Sequence, residues 1–173
     1  MSKQYGFYFD KVRCVGCFNC VTACKSVNNL PPGMQWISLT ESWEGNYPDV
    51  SRNFMVTPCL HCENPPCITV CLPGAIYKRA EDGIVVVDQG KCNGCRECLT
   101  ACPYAVPKFD SDGLMQKCDF CLSAETAPAC AVSCPAEALE YGPMDELIRI
   151  ARQKHKQAKL IGGEANPAMF VVI

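Results

Sequence analysis

Apolar residues along this 173-residue chain come in short runs, and most of those runs predict strands. Tyr5-Gly6-Phe7-Tyr8-Phe9, Asn53-Phe54-Met55-Val56 and Ala138-Leu139-Glu140-Tyr141 each read as one strand. Ala75-Ile76-Tyr77 and Ile84-Val85-Val86-Val87 flank a charged turn (Lys78 to Gly83) that closes on Asp82-Gly83, which predicts a β-hairpin. One clear helix follows Gly142. Pro143 suits its first turn, Asp145 and Glu146 its amino end, and Lys154, His155 and Lys156 its carboxyl end. Met144, Leu147, Ile148 and Ala151 would form the face that docks on the core. Residues 25–58, with Pro31-Pro32-Gly33, Trp36 and Trp43, predict an ordered insertion packed beside the core. After Gly162-Gly163, the apolar end Met169-Phe170-Val171-Val172-Ile173 reads as a strand or a partner contact. No run reaches 18 apolar residues, so no helix is expected to span a bilayer.

Composition changes this picture. The 49% hydrophobic content includes 16 cysteines. Without them roughly 40% of the chain is apolar, a lean supply for an ordinary core. The cysteines fall into four groups of four: Cys14, Cys17, Cys20, Cys24; Cys59, Cys62, Cys67, Cys71; Cys92, Cys95, Cys98, Cys102; and Cys118, Cys121, Cys130, Cys134. Each group opens with Cys-x2-Cys and closes with Cys-x3-Cys, and only the middle interval varies, which makes a fourfold repeat. Disulfides at this density belong to secreted chains, and Met1 to Asp10 carries neither a secretion signal nor a twin-arginine pair. Structural zinc usually takes two separated Cys-x2-Cys knuckles, and four zinc sites are the bland alternative. A Cys-x2-Cys-x2-Cys run instead offers three thiolates to one cubane, and the cysteine four residues on, expected at the start of a short helix, serves the neighbouring cluster. Cys102-Pro103 and Cys134-Pro135 complete that form, while Cys24-Lys25 and Cys71-Leu72-Pro73 depart from it in the following turn alone. The chemistry pointed to is iron–sulfur.

If every fourth cysteine serves a partner cluster, the groups must pair. The middle two lie close together around the predicted hairpin, so residues 55–109 read as a complete two-cluster ferredoxin and the first and last groups nest around it. Nesting predicts cluster 1 on Cys14, Cys17, Cys20 and Cys134, and cluster 2 on Cys24, Cys118, Cys121 and Cys130. Cluster 3 takes Cys59, Cys62, Cys67 and Cys102, and cluster 4 takes Cys71, Cys92, Cys95 and Cys98. The expected fold class is α+β: two nested ferredoxin-like two-cluster modules, with short β-hairpins and short helices around four iron–sulfur clusters. The outer module would span 1–54 and 110–150, the inner one 55–109, with 151–173 a carboxyl-terminal tail. Each cluster would tie distant segments together, so metal-free chain is expected to be largely unfolded.

The formal charge of −2 shows no basic excess that would favour nucleic acid. Four clusters of about −2 each would take the loaded protein to about −10. Arg13, Lys91 and Lys117 each precede the first cysteine of a group, where they would offset cluster charge and raise local potentials or simply be solvated. His61, between Cys59 and Cys62, would suggest a Rieske site only if a second histidine shared the iron, so it reads as a loop or interface residue; His155 reads as a solvated helix end. There is no Walker loop, no Gly-x-Gly-x-x-Gly, no Cys-x3-Cys-x2-Cys and no nucleophile–base pattern. The reading is an electron carrier without a catalytic centre.

The four-group pattern resembles the iron–sulfur subunit of the dimethyl sulfoxide reductase family of molybdenum oxidoreductases. Gln4-Tyr5-Gly6-Phe7, Cys14-Val15-Gly16-Cys17, Asp82-Gly83 with Val85-Val86-Val87-Asp88, Ala101-Cys102-Pro103-Tyr104 and Gly142-Pro143 with Asp145-Glu146-Leu147 carry the resemblance over residues 4–150. Cys95 stands where nitrate reductase relatives have a tryptophan, which implies four full [4Fe–4S] clusters, and the family's pairing agrees with the nesting above. The resemblance further implies a prokaryotic, membrane-associated respiratory complex. In it, electrons would pass between a quinone-handling membrane anchor subunit and a catalytic subunit bearing a molybdenum or tungsten bis-pyranopterin cofactor. The complex would be cytoplasmic, or exported on that partner's twin-arginine signal, since this chain shows none of its own. A free-standing polyferredoxin is the alternative reading.

Overall fold

The computed structural model describes residues 3–154 and 158–172. In chain order its elements are β1 (Tyr5–Asp10), α1 (Asn19–Val27), β2 (Ser38–Asn46), β3 (Asp49–Thr57), α2 (Pro66–Thr69), β4 (Ile76–Lys78) and β5 (Val85–Val87). There follow α3 (Glu97–Ala101), β6 (Lys108–Phe109), β7 (Met115–Gln116), α4 (Ala129–Val132), β8 (Leu139–Pro143), α5 (Met144–Lys154), β9 (Ala158–Leu160) and β10 (Met169–Val172). Helices and strands are mixed and short, and the sheets are small: one of four strands in the order β8-β1-β10-β9, and the hairpins β2-β3, β4-β5 and β6-β7.

β1 is apolar at successive positions because both its faces are covered. Phe7 and Phe9 point to one side, into a core shared with Cys20, Cys24, Cys118, Phe120 and Cys130. Tyr8 points to the other and packs with Leu147, Ala151 and Val172. Gly6 is required where β1 meets the last loop, since a Cβ there would lie 2.1 Å from the Ala168 carbonyl oxygen. β10 lies parallel to β1, with Phe7 opposite Met169 and Phe9 opposite Val171. The segment expected as a tail therefore supplies an inner strand of the main sheet.

The predicted β4-β5 hairpin forms in the expected place, pairing Ile76 with Val87 and Lys78 with Val85. Three expectations change. Pro143 ends β8, opposite Tyr5, and the helix opens one residue later at Met144. Ile150, rather than Ile148, joins Met144, Leu147 and Ala151 on its docking face. The insertion is ordered, but only its base packs on the core. Ile37 and Val56 are buried, whereas the distal hairpin projects with Trp43 at 65% and Tyr47 at 92% exposure. His155, Lys156 and Ile173 lie outside the described residues.

Candidate iron–sulfur centres

Each cysteine group is built on one backbone device. The residue before the second cysteine is left-handed in all four: Gly16 (φ 66°), His61 (φ 40°), Gly94 (φ 71°) and Phe120 (φ 66°). A left-handed residue in such a turn aims successive N–H groups into one concavity, which suits an anionic sulfur cluster. The third cysteine then sits at the second residue of a helix: Cys20 in α1, Cys67 in α2, Cys98 in α3 and Cys130 in α4. The fourth follows one turn later. It is thus the third cysteine that opens the helix, not the fourth. Gly74, Ala105 and Glu137, each three residues past a fourth cysteine, are left-handed turn residues. The first group alone lacks that turn because α1 continues through Lys25, which explains its missing Cys-Pro.

Helix packing brings distant groups together, α1 against α4 and α2 against α3. Cys14, Cys17, Cys20 and Cys134 border one small cavity, walled by Phe9, Leu39 and Val56. Cys71, Cys92, Cys95 and Cys98 border another, walled by Ile76, Phe109 and Met115. The other two sets are defined by thiols close enough to interact electrostatically. Cys24 interacts with Cys121, and Cys130 with both. Cys118 interacts with Cys130, and Cys62 and Cys67 each interact with Cys59 and Cys102. Weaker interactions run between sets, from Cys20 to Cys130 and from Cys59 to Cys118.

All sixteen cysteines are free thiols. Burial pushes Cys20 and Cys98 up to about 11, and Cys24, Cys62 and Cys67 up to about 12. Cys118 and Cys130 are raised further for the same reason. Metal binding would therefore release protons from these sites. Backbone N–H groups already donate to several of the sulfurs, Met115 to Cys92 at 3.4 Å and Ala138 to Cys134 at 3.3 Å. Gly16 donates to Cys14, Phe120 to Cys118 and Ala129 to Cys121. Among the described residues no three His, Cys, Asp or Glu side chains gather around a single-ion position. Four thiols spaced around a cavity, with N–H donors aimed at the sulfurs, fit a cubane with one thiolate per iron.

The three cations expected near the clusters part company. Arg13 is exposed and pairs with Glu137 at 3.3 Å; Lys91 is exposed and pairs with Asp88 at 3.1 Å. Lys117 is buried, and its ammonium donates to the carbonyls of Val85 and Cys118. His61 is fully buried rather than a surface loop residue, and its Nδ1 accepts from the Val85 N–H at 3.0 Å. Burial, and then the Lys117 charge, drive its imidazole well below the usual histidine range, so it is neutral. Its ring meets Phe120 edge to face at 5.4 Å. Sequence reasoning missed this junction of His61, Phe120 and Lys117. The one available signal was the longer middle interval of the two groups that carry the rings.

A family model described as a 4Fe-4S dicluster domain matches residues 50–144. Over 167 residues the chain is 42% identical to the probable anaerobic dimethyl sulfoxide reductase chain YnfG of Escherichia coli, covering 90% of this chain and 79% of that protein. A second anaerobic dimethyl sulfoxide reductase chain of the same organism is 41% identical over the same shares. The chain belongs to the iron–sulfur subunit family of the anaerobic dimethyl sulfoxide reductases. A putative dimethyl sulfoxide reductase iron-sulfur subunit of Halobacterium salinarum is 37% identical over 177 residues, covering 83% of this chain and 67% of that protein. Membership gives the cysteine-lined cavities a family setting in which 4Fe-4S binding is the named property. No helix among the described residues is long and apolar enough to cross a membrane.

Proposed function

We propose that this chain is the electron-transfer subunit of a membrane-associated respiratory oxidoreductase and carries four [4Fe–4S] clusters. One set of ligands is Cys14, Cys17, Cys20 and Cys134, and the next is Cys24, Cys118, Cys121 and Cys130. The third is Cys59, Cys62, Cys67 and Cys102, and the fourth is Cys71, Cys92, Cys95 and Cys98. The first two make an outer ferredoxin-like module over 1–54 and 110–150, nested around an inner one over 55–109. The partners are a catalytic subunit with a molybdenum or tungsten bis-pyranopterin cofactor and a quinone-linked membrane subunit. The observation that carries the reading is the cavity bordered by three thiols of the first group and Cys134 of the last. The packing of α1 on α4 and α2 on α3 supports the same pairing.

When bound, a [4Fe–4S] core stores and releases single electrons with little reorganisation. The chain's own residues do the rest. They hold sixteen thiolates in place, donate N–H groups to the sulfurs and keep water away with Phe9, Val56, Ile76 and Met115. The interactions between sets, Cys20 to Cys130 and Cys59 to Cys118, support the order first, second, third, and the packing of α2 on α3 supports the fourth set beside the third. Both end loops reach the surface: Cys17 and Cys95 are exposed, beside the exposed apolar residues Val15 and Phe18 at one end and Leu72 at the other. Apolar surface beside each outlet supports fixed partners over a freely diffusing carrier.

The test is anaerobic purification of the tagged chain from its native host, with metal and sulfide analysis of everything that comes with it. About sixteen irons and sixteen sulfides per chain, with one molybdenum or tungsten in a co-purifying large subunit, are expected. The same iron with no partner would turn the reading into a free polyferredoxin. Colourless protein with zinc would overturn it.

A further inference from the structure

We infer that Lys117 is the electrostatic bridge at the midpoint of the electron path: one buried ammonium, held between the second and third thiol sets, that would raise the reduction potential of the clusters both sets hold and keep the step between them level. The inference rests on the proposed ligand sets and adds to them a residue that touches no iron.

Lys117 precedes Cys118, so its backbone belongs to the outer set, yet its side chain crosses to the inner module and donates to the Val85 carbonyl on β5. A second bond, 2.9 Å to the Cys118 carbonyl, fixes the ammonium at the junction. Its charge is felt by Cys67 of the third set and by Cys118 of the second. Those two sets approach each other through Cys59 and Cys118. Burial matters here because an interior charge is screened far less than one in water. At 4% exposure Lys117 is the only Lys or Arg among the described residues that is buried, and no carboxylate pairs with it. Lys78, half-buried, faces the Glu63 carboxylate and, of the thiols, Cys62, and it donates to the carbonyls of Cys62 and Glu63, so it serves one set.

The neighbouring groups leave the charge uncancelled. Val85 accepts from Lys117 through its carbonyl and donates through its N–H to His61 Nδ1, which orders the junction without a second charge. Phe120, edge to face on His61, brings no charge to the junction. One electron arriving on either side adds one negative charge next to the same cation. With clusters bound, an electron passing across would oxidise the cluster that loses it and reduce the cluster that gains it, and no proton would need to move at Lys117. A cation shared by both sides favours each reduction similarly and tilts the step between them little.

The decisive variant is Lys117→Gln, whose amide keeps N–H donors but carries no charge; Lys117→Arg keeps the charge. Each is studied in the purified holo complex by EPR-monitored redox titration. For Lys117→Gln, the reduction equilibria of the two middle clusters are expected to fall at least tenfold, about 59 mV for a one-electron couple. The two end clusters should stay within a third of that shift, and Lys117→Arg should restore the wild-type values. Unchanged middle potentials in fully loaded Lys117→Gln protein would overturn the inference, as would a shift confined to one cluster. If neither variant loads iron, pulsed EPR of wild-type complex labelled with 15N-lysine decides. Coupling of lysine nitrogen to both middle clusters is expected, and coupling to one or none overturns the bridge. Wild-type protein without four clusters would instead defeat the ligand assignment itself, a separate outcome of the same titration.

Discussion

The end loops and the middle loops of this protein use the same backbone with opposite side-chain logic. At the ends, Cys14–Cys20 and Cys92–Cys98, the left-handed residue is glycine and the central cysteine is exposed. Close approach adds to the requirement: a Cβ on Gly16 would lie 2.2 Å from the Phe54 ring, and one on Gly94 would lie 2.8 Å from the Gly113 carbonyl. In the middle loops the same position holds His61 and Phe120, both buried and packed on each other. A left-handed L-residue costs roughly 1–2 kcal/mol, which glycine avoids. The middle loops accept that cost because the rings join the two modules. Conformational ease thus governs the loops that face outward, and cohesion governs the loops that face one another.

The strongest challenge to this contrast is removal of the iron. Both kinds of loop are expected to lose their shape together, because only about 40% of the chain is non-cysteine apolar and each thiol set joins segments far apart in sequence. Anaerobic chelation should abolish the cooperative thermal melt seen by circular dichroism. A metal-free melt like that of the loaded protein would mean that the aromatic junction and the main sheet hold the fold unaided.

How much of this can be read from sequence depends on the kind of information. The ligand spacing, the β4-β5 hairpin and the strand around Phe7 are legible because local pattern fixes them: a short apolar aromatic run, a Gly turn, a repeated Cys-x2-Cys. The junction is not, because Phe120 and His61 lie far apart in the chain and Phe120 is not a residue type that advertises positive φ. The place of the tail is hidden for a related reason. Met169 to Val172 becomes an inner strand by pairing with β1 from the opposite end of the chain. The β2-β3 arm escapes because Trp43 reads as core by type, while here it lies over Arg52 at 5.5 Å in the open.

Replacing Phe120 sharpens the comparison at smaller scale. Phe120→Ala is expected to cost about 3–5 kcal/mol in the loaded protein, as for other buried phenylalanines. Phe120→Gly should cost about 1 kcal/mol less, since φ 66° strains alanine and not glycine. That order, glycine milder than alanine inside a core, is unusual and diagnostic. Denaturant melts of the two variants would show it, and alanine milder than glycine would mean that the loop relaxes out of the left-handed turn once the ring is gone.

The smallest expected effects are at the ends, where the cations stand in water. Arg13 and Lys91 occupy the same place in their groups as Lys117 does in the last, but their partners Glu137 and Asp88 cancel their charge locally. Exposed pairs of this kind contribute about 0–1 kcal/mol and are screened by salt. Arg13→Met and Lys91→Met should therefore leave both the melt and the cluster potentials within experimental error, at low and at moderate salt. A potential shift in either variant that matched the one at Lys117 would show that position before the first cysteine, and not burial, sets the influence of these charges. The difference between end and middle loops would then be one of packing alone.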